Sequence, residues 1–341
     1  MLKTSLVLTF LALSNTILSG AHFSDVTITN GEIRARIYLP DRNRGFYRGT
    51  RFDWSGVIHS LQFGGHDYYG AWFNNTDPSV HDFIYEGEDI IAGPCSAITG
   101  PVDEFKPMGW EDAKPGGTFI KIGVGALRRP TDNEAYDNYH LYEIADAGKW
   151  RIKRKRDSIE FVQTLTNPSS GFGYVYRKTV QLTSGKPEMV LRHSIKNTGT
   201  RAIMTNVYNH NFLVLDGRPP GPGVSITVPF QILSSGHPDT RLAEIRGNQI
   251  IYLDILKDRE RVATALQGFS DSMKDNQIRI ENKAVGAGLT IQSDRPLLSE
   301  SLWSIRSVIA MEPFIAISIE SGREFTWTST YEYYTLSNDR K

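Results

Sequence analysis

The sequence predicts an all-β fold, a large antiparallel β-sandwich that forms one domain over residues 22–341. Apolar and polar residues alternate with period two along most of the chain, as in strands that bury one face. Glycine, proline, asparagine and aspartate punctuate these runs at short intervals. No long amphipathic helical pattern, linker or internal repeat interrupts them. Many short strands with few helices are typical of a sandwich.

The predicted strands follow one another along the whole chain. They cover residues 26–28, 33–39, 119–124, 159–165, 174–182, 189–195, 250–253, 278–280, 289–291 and 315–319, and another strand carries His210. The segment 262–273 is the best candidate for a short helix. The Pro-Pro-Gly-Pro-Gly run at 219–223 closely follows the His210 strand, which predicts a rim loop beside a site.

The first 21 residues are a predicted signal peptide. Lys3 precedes a short apolar run over residues 6–13, and the segment ends in small residues up to Ala21, as a signal peptidase requires. The apolar run is too short to span a bilayer. We therefore expect cleavage after Ala21 and a secreted or periplasmic mature chain, beginning near His22, with no membrane partner.

Charge and cysteine content narrow the class of partner. Lysine plus arginine number 38, and so do aspartate plus glutamate, which argues against nucleic acid or an anionic membrane surface as a partner. Cys95 is the only cysteine, so no intrachain disulfide can form and the fold must rely on its core. A neutral substrate fits this composition best.

The motifs predict neither a metal site nor a cofactor. The sequence has no His-Glu-x-x-His, no His-x-His and no Cys/His cluster. A Gly-x-Ser-x-Gly element and a phosphate-binding glycine loop are also absent. His193 alternates in phase with apolar neighbours, which predicts a structural role for it.

Two residues are candidates for proton transfer. His210 lies in strand-like sequence between two asparagines, and Glu312 follows the apolar run 308–311. Pro313 favours an extended backbone at Glu312, and poor hydration raises a carboxyl pKa toward the range useful for a base near neutral pH. We predict that the two residues form an acid–base pair. The alternatives are a structural His210 beneath a loop and a Glu312 paired with Arg306.

A sugar-binding cleft is predicted from aromatic and polar residues in turn-rich stretches. Aromatic faces stack on sugar rings, and planar polar groups bind hydroxyls. The candidates for contact with a mono- or oligosaccharide are Arg51, Trp54, Glu104, His140 and Asn209. Arg51 can hold adjacent hydroxyls with two parallel hydrogen bonds. Its alternative is a surface ion pair with Asp53.

Four motifs, taken in order, resemble the aldose 1-epimerase (galactose mutarotase-like) superfamily. They are 56–61 with Gly64-Gly65-His66-Asp67, Tyr208-Asn209-His210-Asn211-Phe212, Ala310-Met311-Glu312-Pro313, and 319–324 with Trp327 and Tyr331. Together they extend over nearly the whole mature chain. The resemblance implies a supersandwich with an open sugar cleft, with His210 as the acid and Glu312 as the base.

Two elements of that superfamily are missing, the Leu-His-Gly element and an Asn-Arg-Ile stretch near it. The Leu-His-Gly element, which supplies a second substrate-contacting histidine, is replaced here by residues 91–95 and 100–105. His140 is the candidate to take over that contact.

The expected function is interconversion of sugar anomers by acid/base ring opening. The same fold also serves other activities, so two alternatives stay open. One is an extracellular polysaccharide lyase or glycoside-processing enzyme, in which Arg51, Arg128 or Arg129 would neutralise a uronate. The other is a non-catalytic carbohydrate-binding domain.

Overall fold

The computed structural model describes residues 23–132, 134–234, 236 and 238–336. Within these residues the predicted all-β fold is confirmed, because the chain forms strands and two short 3₁₀ turns and no α-helix. The predicted signal peptide and its cleavage site after Ala21 lie outside the described residues. Among the described residues, no helix has the length and apolarity needed to cross a membrane.

The strands are short in the first third of the chain and long in the rest. They are, in chain order, Asp25–Thr29 (β1), Arg34–Tyr38 (β2), Ile58–Phe63 (β3), His66–Tyr69 (β4), Asn75–Thr76 (β5), Phe83–Glu86 (β6), Asp89–Ala92 (β7), Val102–Phe105 (β8), Thr118–Lys121 (β9), Gly125–Arg128 (β10), Ile144–Asp146 (β11), Lys149–Arg154 (β12), Ser158–Asn167 (β13), Phe172–Leu182 (β14), Glu188–Asn197 (β15), Ile203–Leu213 (β16), Val224–Thr227 (β17), Leu233–Ser234 (β18), Ala243–Arg246 (β19), Gln249–Tyr252 (β20), Arg261–Gln267 (β21), Gln277–Asn282 (β22), Ala287–Ser293 (β23), Ser299–Ile305 (β24), Val308–Ile319 (β25) and Glu324–Thr335 (β26). The 3₁₀ turns are Leu215–Gly217 and Met273–Asp275.

Two large sheets dominate the architecture. A ten-stranded sheet has the order β12-β13-β14-β15-β26-β23-β22-β17-β20-β19, and a six-stranded sheet has the order β18-β21-β24-β25-β16-β8. Three smaller sheets have the orders β1-β2-β3-β4, β11-β10-β9 and β5-β7-β6. Neighbouring strands are antiparallel in all of them except for the short β5–β7 pair.

Burial alternates along the strands of the six-stranded sheet and gives it an inner and an outer face. In β25 the odd-numbered residues from Ile309 to Ile319 are buried, whereas Ala316 and Ser318 are exposed. In β16 Ile203 is buried and Met204 is exposed. Because side chains alternate between the two faces of a strand, the odd-numbered residues of both strands point inward.

A hydrophobic cluster joins the inner face of the six-stranded sheet to the ten-stranded sheet. Its members include Ile203, Val207, Ile315 and Ile317 from the first sheet, and Tyr174, Tyr176, Ile195 and Trp327 from the second. Burying each such side chain contributes about 1.5–3 kcal/mol. The even-numbered residues of β16 and β25 therefore lie on the outer face of the six-stranded sheet, and they include both candidate catalytic residues.

The predicted short helix over 262–273 is wrong. Residues 261–267 form β21, in which Val262, Thr264 and Leu266 are buried and the residues between them are exposed. This is the period-two alternation of a strand, and pairing with β24 satisfies its backbone. Only Met273–Asp275 makes a single 3₁₀ turn.

Candidate active site

Strand register brings the two candidate catalytic residues together on the outer face of the six-stranded sheet. β16 and β25 pair antiparallel, with Tyr208 opposite Phe314 and Asn211 opposite Met311. This register sets His210 across from Glu312, although the two are about a hundred positions apart in the sequence. The His210 Nε2 atom lies 3.1 Å from the Glu312 Oε1 atom.

The surroundings of Glu312 make its carboxyl group a base that titrates near neutral pH. Burial raises the pKa of Glu312 to about 7, although Ser301 and Arg51 act in the opposite direction. The Ser301 hydroxyl on β24 donates a hydrogen bond of 2.8 Å to Glu312 Oε2. Glu312 keeps 17% of its side chain exposed, so a substrate can reach it.

The imidazole of His210 is held neutral and rigid. Burial, followed by the positive charge of Arg51, lowers its pKa well below the usual value. The Phe212 ring stacks on the imidazole with centroids 3.7 Å apart, and Phe52 and Trp303 contact it edge-on. These rings leave the imidazole little freedom to turn away from Glu312.

Hydrogen-bond chemistry determines where the proton lies. An ionised carboxylate can only accept, so Nε2 of His210 must carry the proton whenever Glu312 is ionised. The other ring nitrogen, Nδ1, is buried and has no hydrogen-bond partner among the described residues. The pair therefore presents an N–H donor beside a carboxylate acceptor, which is the arrangement that concerted acid–base chemistry needs.

The pair opens into a cleft of about 220 Å³. The cleft is lined by Arg51, Trp72, Asp82, Phe83, Ser96, Tyr139, His210, Phe212, Trp303 and Glu312. Five aromatic rings line the wall beside the imidazole, and charged and polar side chains face the same interior. This mixture suits a small polar ligand with apolar faces.

Arg51 is fixed in the cleft by a buried cluster. Its Nε donates to Glu104 Oε2 over 2.7 Å and its Nη2 donates to the Tyr208 hydroxyl over 3.0 Å. Lys121 Nζ donates to the other oxygen of Glu104 over 3.1 Å. Burial alone would raise the pKa of Glu104, but Lys121 and Arg51 together lower it below its usual value. The guanidinium also lies 4.7 Å from the centroid of Tyr139.

The structure decides between the alternatives for Arg51 and Glu312. Arg51 is 9% exposed and pairs with Glu104, so it is not a surface residue paired with Asp53. Glu312 does not pair with Arg306, whose guanidinium donates to two backbone carbonyls elsewhere.

Of the five predicted substrate-binding residues, Arg51 lies in the cleft. Glu104 lies behind it as its ion-pair partner. Trp54 is 2% exposed and donates its indole N–H to the Gly49 carbonyl, so it belongs to the core instead. His140 is exposed and its ring packs against Tyr142, outside the cleft.

Asn209 does not line the cleft. It alternates with His210 on β16, so its side chain points to the inner face, where Nδ2 donates to Asp103 Oδ1 over 3.1 Å. Its Oδ1 accepts a hydrogen bond from the Tyr331 hydroxyl. The amide is thus part of the interior between the sheets, which a period-two count from His210 could have predicted.

Behind the site lies a buried polar network of Asp53, Asp103, Lys178, His193 and Asn209. Lys178 Nζ is 2.7 Å from Asp103 and 3.4 Å from Asp53. His193 Nε2 is 3.0 Å from Asp103, and its ring stacks on Trp327. His193 is thereby buried in the interior, away from the cleft.

Several cleft residues were not among the predicted substrate-binding residues. Tyr139 lies next to the predicted His140 and provides the ring that faces Arg51. Ser301 and Trp303 alternate on β24, a strand that was not predicted. The Ser-x-Trp spacing just before the Glu312 segment is a signal that could have identified them.

Two further predicted site elements lie elsewhere. Pro219, Gly221 and Pro222 line a separate cavity with Ile255, so the 219–223 run is not a rim of this cleft. Arg128 and Arg129 donate to backbone carbonyls of residues 110–116. Neither arginine lines the cleft, which leaves Arg51 as the only one of the three candidate uronate-binding arginines there.

No group of three or more histidine, cysteine, aspartate or glutamate residues in the described part of the chain is arranged to hold a metal ion.

Several solved structures with a similar fold are named as aldose epimerase or galactose mutarotase-like proteins. A putative aldose 1-epimerase from Escherichia coli K12 matches with a TM-score of 0.54 and 13% identity, over 92% of this chain and 99% of that chain. A galactose mutarotase related enzyme from Lactobacillus acidophilus matches with a TM-score of 0.53 and 12% identity, over 93% and 100% of the two chains. A GalM/aldose epimerase homologue from C. elegans matches with a TM-score of 0.52 and 12% identity, over 92% of this chain and 99% of that chain.

These likenesses confirm the predicted galactose mutarotase-like fold. At 10–13% identity they concern the arrangement of the chain rather than its activity. No family model matches the sequence. No curated protein matches it either.

Proposed function

We propose that this protein is an aldose 1-epimerase-like enzyme that interconverts the α and β anomers of a free sugar. The observation that carries the proposal is the contact of 3.1 Å between His210 Nε2 and Glu312 Oε1 at the base of a sugar-sized cleft. The structural neighbours named as aldose epimerases support the same class of reaction.

The reaction needs two proton transfers at neighbouring oxygens. In a cyclic aldose, the ring oxygen and the anomeric hydroxyl are bonded to the same carbon. Two catalytic groups that lie side by side can therefore reach both oxygens from one side of the sugar. The bound sugar would replace the direct contact between His210 and Glu312 with one hydrogen bond to each residue.

The proton balance closes over one cycle. Glu312 removes the proton of the anomeric hydroxyl while the neutral His210 passes its Nε2 proton to the ring oxygen, and the bond between that oxygen and the anomeric carbon breaks. Glu312 is then a neutral carboxylic acid and His210 a transient imidazolate, whose negative charge the nearby Arg51 guanidinium stabilises. The open aldehyde rotates about its bond to the next carbon. Glu312 then returns its proton to the aldehyde oxygen, His210 takes back the proton of the hydroxyl, and the ring closes with the other anomeric configuration.

The remaining cleft residues supply binding. Asp82, Arg51 and the Tyr139 hydroxyl can hydrogen-bond to sugar hydroxyls, and Trp72 and Trp303 offer aromatic surface to the C–H groups. Both kinds of contact are needed, because hydroxyls that are buried without partners would weaken binding.

Polarimetry on freshly dissolved α-glucose and α-galactose tests the proposal directly. Glu312→Gln and His210→Asn should each lower the catalysed rate by about 10²–10⁴-fold, the usual contribution of one acid or base. Circular dichroism should show that both variants remain folded. Glu324→Gln, at an exposed position on β26, is the matched control and should keep the full rate.

The proposal fails if the folded wild-type protein leaves a panel of aldoses equilibrating no faster than buffer does. It also fails if either substitution in the pair leaves the catalysed rate intact.

A further inference from the structure

We propose that a second cavity beside the cleft binds the next ring of a reducing oligosaccharide, so that the preferred substrate is larger than one sugar. This inference rests on the proposed function. The second cavity has a volume of about 500 Å³, more than twice that of the cleft. It is lined by Glu104, Lys106, Pro107, Gly109, Trp110, Glu111, Asp112, Tyr136, Asn138, Asn206, Tyr208 and Phe314.

The two spaces are consecutive on one sheet face. On β16, Tyr208 lies two residues from His210, and on β25, Phe314 lies two residues from Glu312. Tyr208 and Phe314 face each other across the strands, with their rings stacked at 4.3 Å. Two residues of strand span about 7 Å, so the second cavity begins roughly one sugar ring away from the catalytic pair.

One hydrogen-bonded cluster forms the boundary between the two spaces. Arg51 lines the cleft, whereas both of its hydrogen-bond partners, Glu104 and Tyr208, line the second cavity. In the same way Tyr139 lines the cleft, while Tyr136 and Asn138 of the same segment line the second cavity. The two linings have no residue in common but are in direct contact, so a ligand held in the cleft would reach the second cavity past this cluster.

The walls of the second cavity suit an uncharged sugar ring. Trp110, Tyr136 and Phe314 provide aromatic surface, and the amides of Asn138 and Asn206 can donate to and accept from hydroxyls.

Most acidic side chains of the second cavity have a cationic partner. Glu104 is neutralised by Arg51 and Lys121, and Asp112 pairs with Arg201 over 2.6 Å. Lys106 and Glu111 contribute one charge of each sign. Among the lining residues themselves, three are acidic and only Lys106 is basic, so a phosphorylated or uronic ligand would meet no excess of positive charge on this wall.

The reaction limits how the second ring is attached. The anomeric hydroxyl of the reacting unit must stay free at the His210–Glu312 pair, so the second ring must be joined through another hydroxyl. The substrate class is thus reducing disaccharides and longer reducing oligosaccharides.

The test compares reducing disaccharides with their monosaccharides. Anomer exchange of maltose, cellobiose, lactose, glucose and galactose can be followed by polarimetry or by nuclear magnetic resonance. We expect kcat/KM for at least one disaccharide to exceed that of the monosaccharide by about tenfold, since one more stacked ring contributes on that scale.

A blocking variant locates the effect in the second cavity. Asn206→Trp should fill the cavity and cancel the preference for the disaccharide. Met204→Trp is the matched control, because Met204 lies on the same face of β16, is 74% exposed and does not line the cavity. It should leave the preference unchanged.

Titration calorimetry with the Glu312→Gln variant separates the two proposals. If no sugar is turned over but a disaccharide binds about tenfold more tightly than its monosaccharide, and Asn206→Trp removes the difference, the proposed function fails while the second binding site stands. If monosaccharides are turned over and no disaccharide is preferred in rate or affinity, the second site is refuted and the function stands. If there is neither turnover nor a difference in affinity, both are refuted.

Discussion

Glu300 should make the protein less stable as the pH rises. This residue of β24 is 1% exposed, and neither of its carboxylate oxygens has a hydrogen-bond partner among the described residues. It alternates with the cleft residues Ser301 and Trp303 and therefore points to the inner face. Burial raises its pKa from the ordinary value of 4.5 to about 8.

The size of the effect follows from this difference in pKa. Each pH unit between the unfolded and folded pKa values is worth about 1.4 kcal/mol, so the full effect is about 5 kcal/mol. Because the folded state holds the proton more tightly than the unfolded state does, the stabilisation is fully present below the unfolded pKa. It is lost as the pH rises from about 4.5 to about 8.

Urea unfolding of the wild-type protein and of Glu300→Gln at about pH 5 and at about pH 8.5 measures this effect. Glutamine has nearly the same shape as glutamate and does not titrate. Any change in the free energy of unfolding that the substitution itself causes is therefore the same at both pH values and cancels. Glu312 titrates in both proteins, so its contribution to the pH dependence of stability cancels as well. The wild-type protein should lose about 4 kcal/mol more than the variant over this interval. Equal losses in the two proteins would refute the reasoning.

Two further predictions concern the catalytic pair and the network behind it. In the acid range, kcat/KM for anomer exchange should rise with pH and level off above about 7, because Glu312 must be ionised to act as the base. Polarimetry corrected for the rate in buffer measures this profile, and a midpoint near 4.5, the ordinary pKa of glutamate, would contradict the prediction. Lys178→Met should lower the free energy of unfolding by about 3–5 kcal/mol, because it leaves two buried carboxylates without their cation. The exposed Lys149→Met on β12 is its control in denaturant titrations and should have little effect.

Local pattern was sufficient to predict many of the strands and to single out the two residues of the candidate pair. Alternation revealed the strands around His193 and Ile317, and an ionisable group in an apolar strand singled out Glu312. Such signals are visible in a single segment. The segment 262–273 was misread although its first six residues alternate with period two.

The rest of the site depends on contacts between distant segments, which a single sequence does not display. Arg51 finds Glu104 and Tyr208 only after three separate segments meet. Trp54 was predicted to bind sugar because it is an aromatic residue in a turn-rich stretch. Its indole N–H instead donates to the backbone carbonyl of Gly49. Asn209 was chosen for being next to His210, although adjacent residues on a strand face opposite ways.

Side chains on both faces of β16 make specific contacts between Tyr208 and Phe212, and this limits how the strand can change in evolution. One face supplies the cleft, and the other is tied into buried polar contacts through Asn209 and Asn211. A shift of one residue in the pairing of β16 would move every side chain to the opposite face of the sheet. Insertions and deletions within this strand should therefore not be tolerated. Under the proposed function, new sugar preferences should instead arise in the bordering loops that carry residues such as Asp82 and Tyr139, where substitutions leave His210 and Glu312 in register.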